Sequence, residues 1–297
     1  MLLNRRPIWM LSNVGLVAEG GGMRGAYTAG VLEAFLDHNL SFPYAIGVSA
    51  GANTLCSYLS QQKLRNKRLY TYWITDKRFI HWSNLFKEGA YFGMNFLFND
   101  LPETLDPFDF DTFKASKTHF KVGVTNCITG QCEYLEPTHA TSLQEADRIL
   151  QASSSLPFIS KMVTISGVPY LDGGLTDSIP IKQARADGYS RNVVILTRNA
   201  DYRKSYSKKL HHFARKGFKN YPKLVEAISS RYKNYNETLD YLKALEAENK
   251  VFILRPTQPL QVNRFEKDPK KLHLLYHQGY QEAIRNLPHL KNWLNTI

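Results

Sequence analysis

A chain of 297 residues, 43% hydrophobic and 22% charged, is long enough to bury a sizeable core as one large α/β domain or two modest ones. No apolar run approaches the roughly 18 residues of a bilayer-spanning helix, and three dispersed cysteines (Cys56, Cys127, Cys132) form neither a metal-spaced pair nor a disulfide frame, which excludes a helical membrane protein and a disulfide scaffold. The setting expected is cytoplasmic, without cofactor or metal, and the net charge of +12 points to an anionic partner.

The opening residues carry Arg5 and Arg6 ahead of an apolar patch, but Ser12 and Asn13 break it and no small-residue cleavage site follows, so no signal peptide is read. Val14–Ala18 is short, apolar and bounded by glycine, as a buried strand would be, and Ala26, Ala29, Val31, Leu32, Phe35 and Leu36 follow at helical spacing. Tyr44–Val48 and Ala50–Leu59 repeat the arrangement. Two strand-to-helix units in succession predict a largely parallel sheet whose strand ends face one crevice. Residues 64–80 read as helix, and 81–117 are aromatic-rich with little periodicity: a lid or acyl-binding wall, or a plain cover for the sheet. A hairpin is expected from 119–127 and 131–135, turning at Thr129-Gly130, then a helix over 142–153 and an extended piece over 163–171 that turns at Ser166-Gly167. Further core strands fall at 192–197 and Val251–Leu254, and residues 269–296 close the chain as helices.

Between residues 201 and 235, ten Lys or Arg stand against Asp201 and Glu226, interleaved with seven Tyr or Phe. By composition this segment suits an anionic lipid surface, a nucleic acid, or a solvated helical face whose aromatics pack inward. No nucleic-acid module is recognisable, so no nucleic acid is expected, and peripheral contact with an anionic membrane through residues 201–235 is the more economical reading.

Two glycine-rich strand ends carry the chemistry. Gly20-Gly21-Gly22-Met23-Arg24-Gly25 satisfies a dinucleotide fingerprint, but the second strand ends in Ser49 where that fold needs an acid, and Asp37 falls one strand too early. Glycines there can instead aim backbone N–H groups, backed by a helix N-terminus, at a developing negative charge. Gly47-Val48-Ser49-Ala50-Gly51 makes the tight turn that holds a hydroxyl out of a sheet, although Ser49 alone would also serve as a helix N-cap. A serine nucleophile needs a base, and Asp172-Gly173-Gly174 offers one, or only a turn.

Glu19 to Gly25, Gly47 to Gly51 and Asp172 to Gly174, in that order, resemble the three signatures of patatin-like phospholipases, and Gln151-Ala-Ser-Ser-Ser-Leu-Pro157 is similar to the segment that precedes that family's catalytic aspartate. One departure is Glu19, where many members have Asp; the loop is expected to tolerate it. The resemblance implies a three-layer α/β/α fold with a largely parallel central sheet and a helical C-terminal extension. It implies calcium-independent cleavage of lipid acyl esters through an acyl-enzyme, with Ser49 as nucleophile, Asp172 as base, and Gly20, Gly21, Gly22 and Met23 as the oxyanion loop. Arg24, Gly47, Gly51, Gly173 and Gly174 would support them, Arg24 through a specific anionic partner, which an internal acid could supply. Residues 1–200 would form the hydrolase core, and 201–297 a basic helical extension packed on the same domain, with a further core strand near 251–254. Two rivals stay open: an α/β-hydrolase with a Ser-His-Asp triad, and a catalytically silent basic protein bound to the membrane surface.

Overall fold

The computed structural model describes residues 9–10 and 13–295, so the first residues, read against a signal peptide, lie outside the described part. The strands are β1 (Trp9–Met10), β2 (Val14–Ala18), β3 (Leu40–Ser41), β4 (Tyr44–Val48), β5 (His119–Asn126), β6 (Cys132–Leu135), β7 (Val163–Ile165), β8 (Val168–Asp172), β9 (Arg191–Ile195) and β10 (Val251–Leu254). The helices are α1 (Gly25–Asp37), α2 (Ala50–Leu59), α3 (Arg65–Thr71), α4 (Trp82–Lys87), α5 (Phe110–Lys114), α6 (Leu143–Ser154), α7 (Ile181–Ala186), α8 (Lys208–Gly217), α9 (Pro222–Ala247) and α10 (Pro269–Asn295).

Strands β10, β9, β2, β4 and β5 lie side by side and parallel. Their continuous apolar runs fit, because both faces are covered. Val14, Leu16, Ala18, Val193 and Ile195 enter a core shared with α1, α2 and α10, while Val17, Ile46, Val194 and Leu196 enter a second core closed by α7 and α9. The result is the expected three-layer mixed α/β fold. Strand β2 is where the chain order reverses, with β4 on one side and β9 on the other. In open α/β sheets ligands bind outside the carboxyl ends of strands at such a point.

The C-terminal helix α10 packs directly on α1. A Cβ on Gly30 would collide with the Tyr276 carbonyl and one on Gly279 with the Tyr27 carbonyl, so each glycine lets the other helix's backbone approach. Tyr27 donates from its hydroxyl to Glu282 at 2.8 Å across the same contact.

Two segments differ from the sequence reading. The helix expected over 64–80 stops at Thr71 and passes through a 3-10 turn, Trp73–Thr75, because Asp76 Oδ1 accepts the Arg78 N–H at 2.8 Å and turns the chain. Residues 81–117 hold α4, a π-helical stretch Phe96–Leu105 and α5.

Candidate active site

The position of Ser49 follows from which edge of β5 each neighbour occupies. Alternate residues of a strand offer their N–H and C=O to opposite edges. His119 donates to Pro43 O on the β4 side and Cys127 donates to Pro169 O on the β8 side, whereas Asn126 donates to Gln131 O toward β6. Strands β4 and β8 therefore share one edge of β5 and meet end to end. Val48 ends β4 opposite Gly123, and Asp172 ends β8 opposite Val124. The junction brings the ends of β4 and β8, and with them Ser49 and Asp172, to neighbouring positions along β5.

The C-terminal end of α6 fixes both. Ser153 Oγ accepts the Ser49 N–H at 2.8 Å and donates to Gly123 O at 2.8 Å. Ser155 O accepts the Asp172 N–H at 2.8 Å. Asn53 donates to Ser49 O at 2.9 Å and to Ser154 Oγ at 2.8 Å. Sequence reasoning passed over Asn53, whose place four residues after Ser49 on α2 puts it within reach of the turn.

Ser49 sits at φ +54° and ψ −127° at the start of α2, and its side chain makes no capping hydrogen bond, so the plain N-cap reading does not hold. Backbone strain of this kind costs about 1–3 kcal/mol and persists only where surroundings enforce it. A Cβ on Gly51 would stand 2.7 Å from Glu19 O, one on Gly47 2.8 Å from Ala52 N, and one on Gly20 3.3 Å from Ser49 Cβ. Gly47 and Gly51 thus leave no room for a side chain, and Gly20 leaves little.

Asp172 is buried; its Oδ1 accepts the Gly174 N–H at 2.7 Å, and Thr125 Oγ1 donates to its carbonyl at 2.9 Å. Gly173 lies on Gly123, where a Cβ would strike the Gly123 carbonyl. Gly174 O accepts from Ser178 Oγ and from Arg231 Nε. Arg231 is a second residue the sequence reading did not single out, since in the chain it is one cation among ten. Among the described residues no hydrogen bond joins Ser49 Oγ to Asp172.

In the glycine loop, Gly20 donates its N–H to Ser178 O at 3.1 Å and Met23 donates to Arg264 O at 3.1 Å. The amides of Gly21 and Gly22 have no acceptor among the described residues. Gly21 packs on Thr197, 2.8 Å from its Oγ1 to a built Cβ, and Gly22 is at φ +58° against Arg264. The longer acid at position 19 is accommodated because its carboxylate spans two elements: Oε2 accepts from Thr197 N–H at 2.5 Å and Thr197 Oγ1 at 3.0 Å, and Oε1 from Tyr235 OH at 2.7 Å. Arg24 makes no ion pair within 4.0 Å among the described residues; the internal acid that could have partnered it, Glu19, acts on it only from farther off.

An apolar cavity of about 150 Å³ opens at Ser49, walled by Tyr70, Phe79 and Leu150 and by Phe92, Leu97 and Phe98 from the aromatic-rich segment. That segment is a cavity wall. Among the described residues no histidine lines this cavity; His211 is hydrogen-bonded to Ser229, and His273 and His277 meet edge to face along α10.

The sequence model for patatin-like phospholipase matches residues 16–185, which spans the glycine loop, Ser49 and Asp172. The chain belongs to this family. A second model, for a domain of unknown function (DUF6363), matches residues 221–295. An uncharacterised protein of Escherichia coli (strain K12), YjjU, is 26% identical over 266 residues, which cover 87% of this chain and 72% of that protein. A crystal structure of VipD from Legionella pneumophila aligns with 95% of this chain and 67% of its own, at 14% identity and a TM-score of 0.45. Among the described residues no helix is long and apolar enough to cross a membrane, and no cluster of His, Cys, Asp or Glu could hold a metal ion.

Proposed function

We propose that this patatin-like protein hydrolyses lipid acyl esters, as a phospholipase A or lysophospholipase, with Ser49 as nucleophile and Asp172 as general base. The observation that carries this reading is the unspent Ser49 hydroxyl, held on a strained turn at the mouth of an apolar cavity. Asp172 takes the hydroxyl proton as Ser49 Oγ attacks the ester carbonyl. The Gly21 and Gly22 amides receive the oxyanion. The intermediate collapses to an acyl-enzyme, and the leaving alkoxide recovers the proton from Asp172. Water, deprotonated by Asp172, then releases the fatty acid and regenerates Ser49. The Ser49–Asp172 hydrogen bond would tighten when substrate fills the cavity, as catalytic contacts often do. Among the described residues no histidine is hydrogen-bonded to Ser49 or to Asp172, which favours the dyad over a triad.

Peripheral membrane contact rests on the same chain. Eight of the ten cations in 201–235 are exposed, including Lys208, Lys209, Arg215 and Lys216 on α8, beside exposed Tyr206 and Phe213.

Intact-mass labelling with an alkyl fluorophosphonate tests the activated serine. One adduct per parent chain is expected, none on Ser49→Ala, and labelling slowed by at least about a hundredfold on Asp172→Asn, the usual scale for losing a general base. Adduct on a folded Ser49→Ala protein, or none on the parent, would sink the assignment.

A further inference from the structure

The glycine loop separates two cavities. On one side lies the apolar space at Ser49. On the other lies a cavity of about 420 Å³ at the carboxyl ends of β2 and β9, lined by Arg24, Arg198, Lys204 and Arg264 with Glu19, Tyr202 and Tyr235. An adjoining pocket shares Lys204 and Arg264 and adds Arg231. These five cations come from five separate places in the chain: the glycine loop, the segment after β9, the approach to α8, α9, and the loop before α10.

Among the described residues their counter-charge is thin: Glu19 acts on Arg24 and Lys204, and Asp172 on Arg231. None of the five forms an ion pair within 4.0 Å among the described residues. Glu19, the one acid in the lining, already accepts three hydrogen bonds from Thr197 and Tyr235. Arg24 is only 6% exposed, and its Nε, like that of Arg198, is buried without a partner. Rings pack against two of these side chains: Lys204 Nζ sits 4.0 Å from the centre of Tyr235 and the Arg198 guanidinium 4.3 Å from that of Tyr202. Gathering cations out of water with little counter-charge is costly.

We infer that this cavity is a binding site for a phosphate dianion, reached from the opposite side of the glycine loop to the hydrolase centre. Its position at the switch point of the sheet is where an open α/β fold places a ligand. The guanidinium groups supply planar donor pairs suited to phosphate oxygens. Burial and the neighbouring Arg231 push Lys204 down to about 6, with Arg264 and Arg24 adding to the repulsion and Glu19 opposing it; Tyr235 faces it from α9. An incoming dianion reverses that balance, so binding above about pH 6 takes up a proton. Two sources share this chemistry, the phosphomonoester headgroup of a lipid and free phosphate.

Calorimetric titration with inorganic phosphate tests the site on the full chain and on Ser49→Ala, so that failure of the hydrolase reading leaves this readout intact. Saturable binding is expected to both, weakened about tenfold or more in Arg198→Gln and in Lys204→Gln, and largely retained in Arg198→Lys. Without phosphate, Arg198→Gln should melt no lower than the parent, because it relieves repulsion; with phosphate the parent should gain stability that Arg198→Gln does not. Sulfate, which does not titrate in this range, should lose up to about tenfold in affinity per pH unit above about 6. Vesicles of phosphatidylcholine with phosphatidic acid separate the sources: capture that free phosphate competes away assigns the headgroup, and phosphate binding without such competition assigns the free anion. No saturable binding up to about 50 mM phosphate, weaker than any useful affinity, or equal binding to the parent and both Gln variants, overturns the site.

Discussion

Asp147 gives a sharp test of how the Ser49 cavity is kept apolar. It projects from α6 into that cavity, is 8% exposed, and its Oδ2 has no hydrogen-bond partner among the described residues. The nearby Arg65 is committed elsewhere, with its guanidinium on the Asp106 carbonyl. Burial raises the Asp147 carboxyl from its ordinary 3.8 to about 8, with Glu103 adding to the rise and Arg65 opposing it. The folded chain therefore holds a proton at pH 7 that the unfolded chain has released. Stability from this group is full below the unfolded value of 3.8 and is lost as pH rises through about 8. At about 1.4 kcal/mol per pH unit, the parent has given up on the order of 4 kcal/mol by pH 7. Asp147→Asn keeps the shape and never ionises. After about 1–2 kcal/mol for burying an unpaired amide, the variant should be roughly 2–3 kcal/mol more stable than the parent at pH 7, and no more stable near pH 4. Urea unfolding at pH 4, 7 and 8.5 measures this. Parallel stability curves for the two proteins across that range would show that Asp147 ionises in place, and the reasoning would fail.

Two other perturbations follow from the site and the surface. Gly22→Ala meets both a left-handed backbone at φ +58° and Arg264 2.7 Å away, whereas Gly167→Ala meets strain at φ +82° with nothing within 4 Å. Urea midpoints should show a loss of about 1 kcal/mol for Gly167→Ala and about 2–4 kcal/mol for Gly22→Ala, with fluorophosphonate labelling impaired only in the latter; equal losses would mean that Arg264 yields freely. Reversing Lys208, Lys209, Arg215 and Lys216 to Glu, all exposed on α8, should abolish co-sedimentation with anionic vesicles while leaving cleavage of a soluble ester unchanged. Undiminished sedimentation would place the membrane contact elsewhere.

The parts of the fold legible in the sequence are those fixed by local composition. Val14–Ala18 and Tyr44–Val48 stand out because strands buried on both faces read as unbroken apolar runs, and the glycines behind them are demanded by backbones that nearly touch, as at Gly51 and Glu19. Ser142, which accepts the Glu145 N–H, likewise marks the start of α6. What the sequence hides is non-local. That β4 and β8 share an edge of β5, and so bring Ser49 to Asp172, depends on pairings between residues far apart in the chain, Val48 with Gly123 and Val124 with Asp172. The clamp from Ser153 to Ser155 is equally invisible as chemistry, because a serine's hydrogen bonds cannot be read from its neighbours in the chain.

The basic stretch shows why composition is a poor guide to what a charge does. In the sequence Lys204 and Arg231 are indistinguishable from the eight cations around them, and one electrostatic surface is the natural reading. The structure divides them by direction. The eight are solvated, and solvated cations cost little and act at a distance, on a membrane's surface charge. Lys204 and Arg231 turn inward, where the same charge is expensive and meets Arg24, Arg198 and Arg264. Arg231 also holds the carbonyl of Gly174, two residues from Asp172, and Arg264 holds the amide of Met23, one residue from Gly22. An anion drawn into this cluster would thus pull on both loops of the proposed active site at once. Phosphate bound there would change the spacing between the oxyanion amides and the aspartate, so its effect should appear in the rate of fluorophosphonate labelling as well as in binding heat.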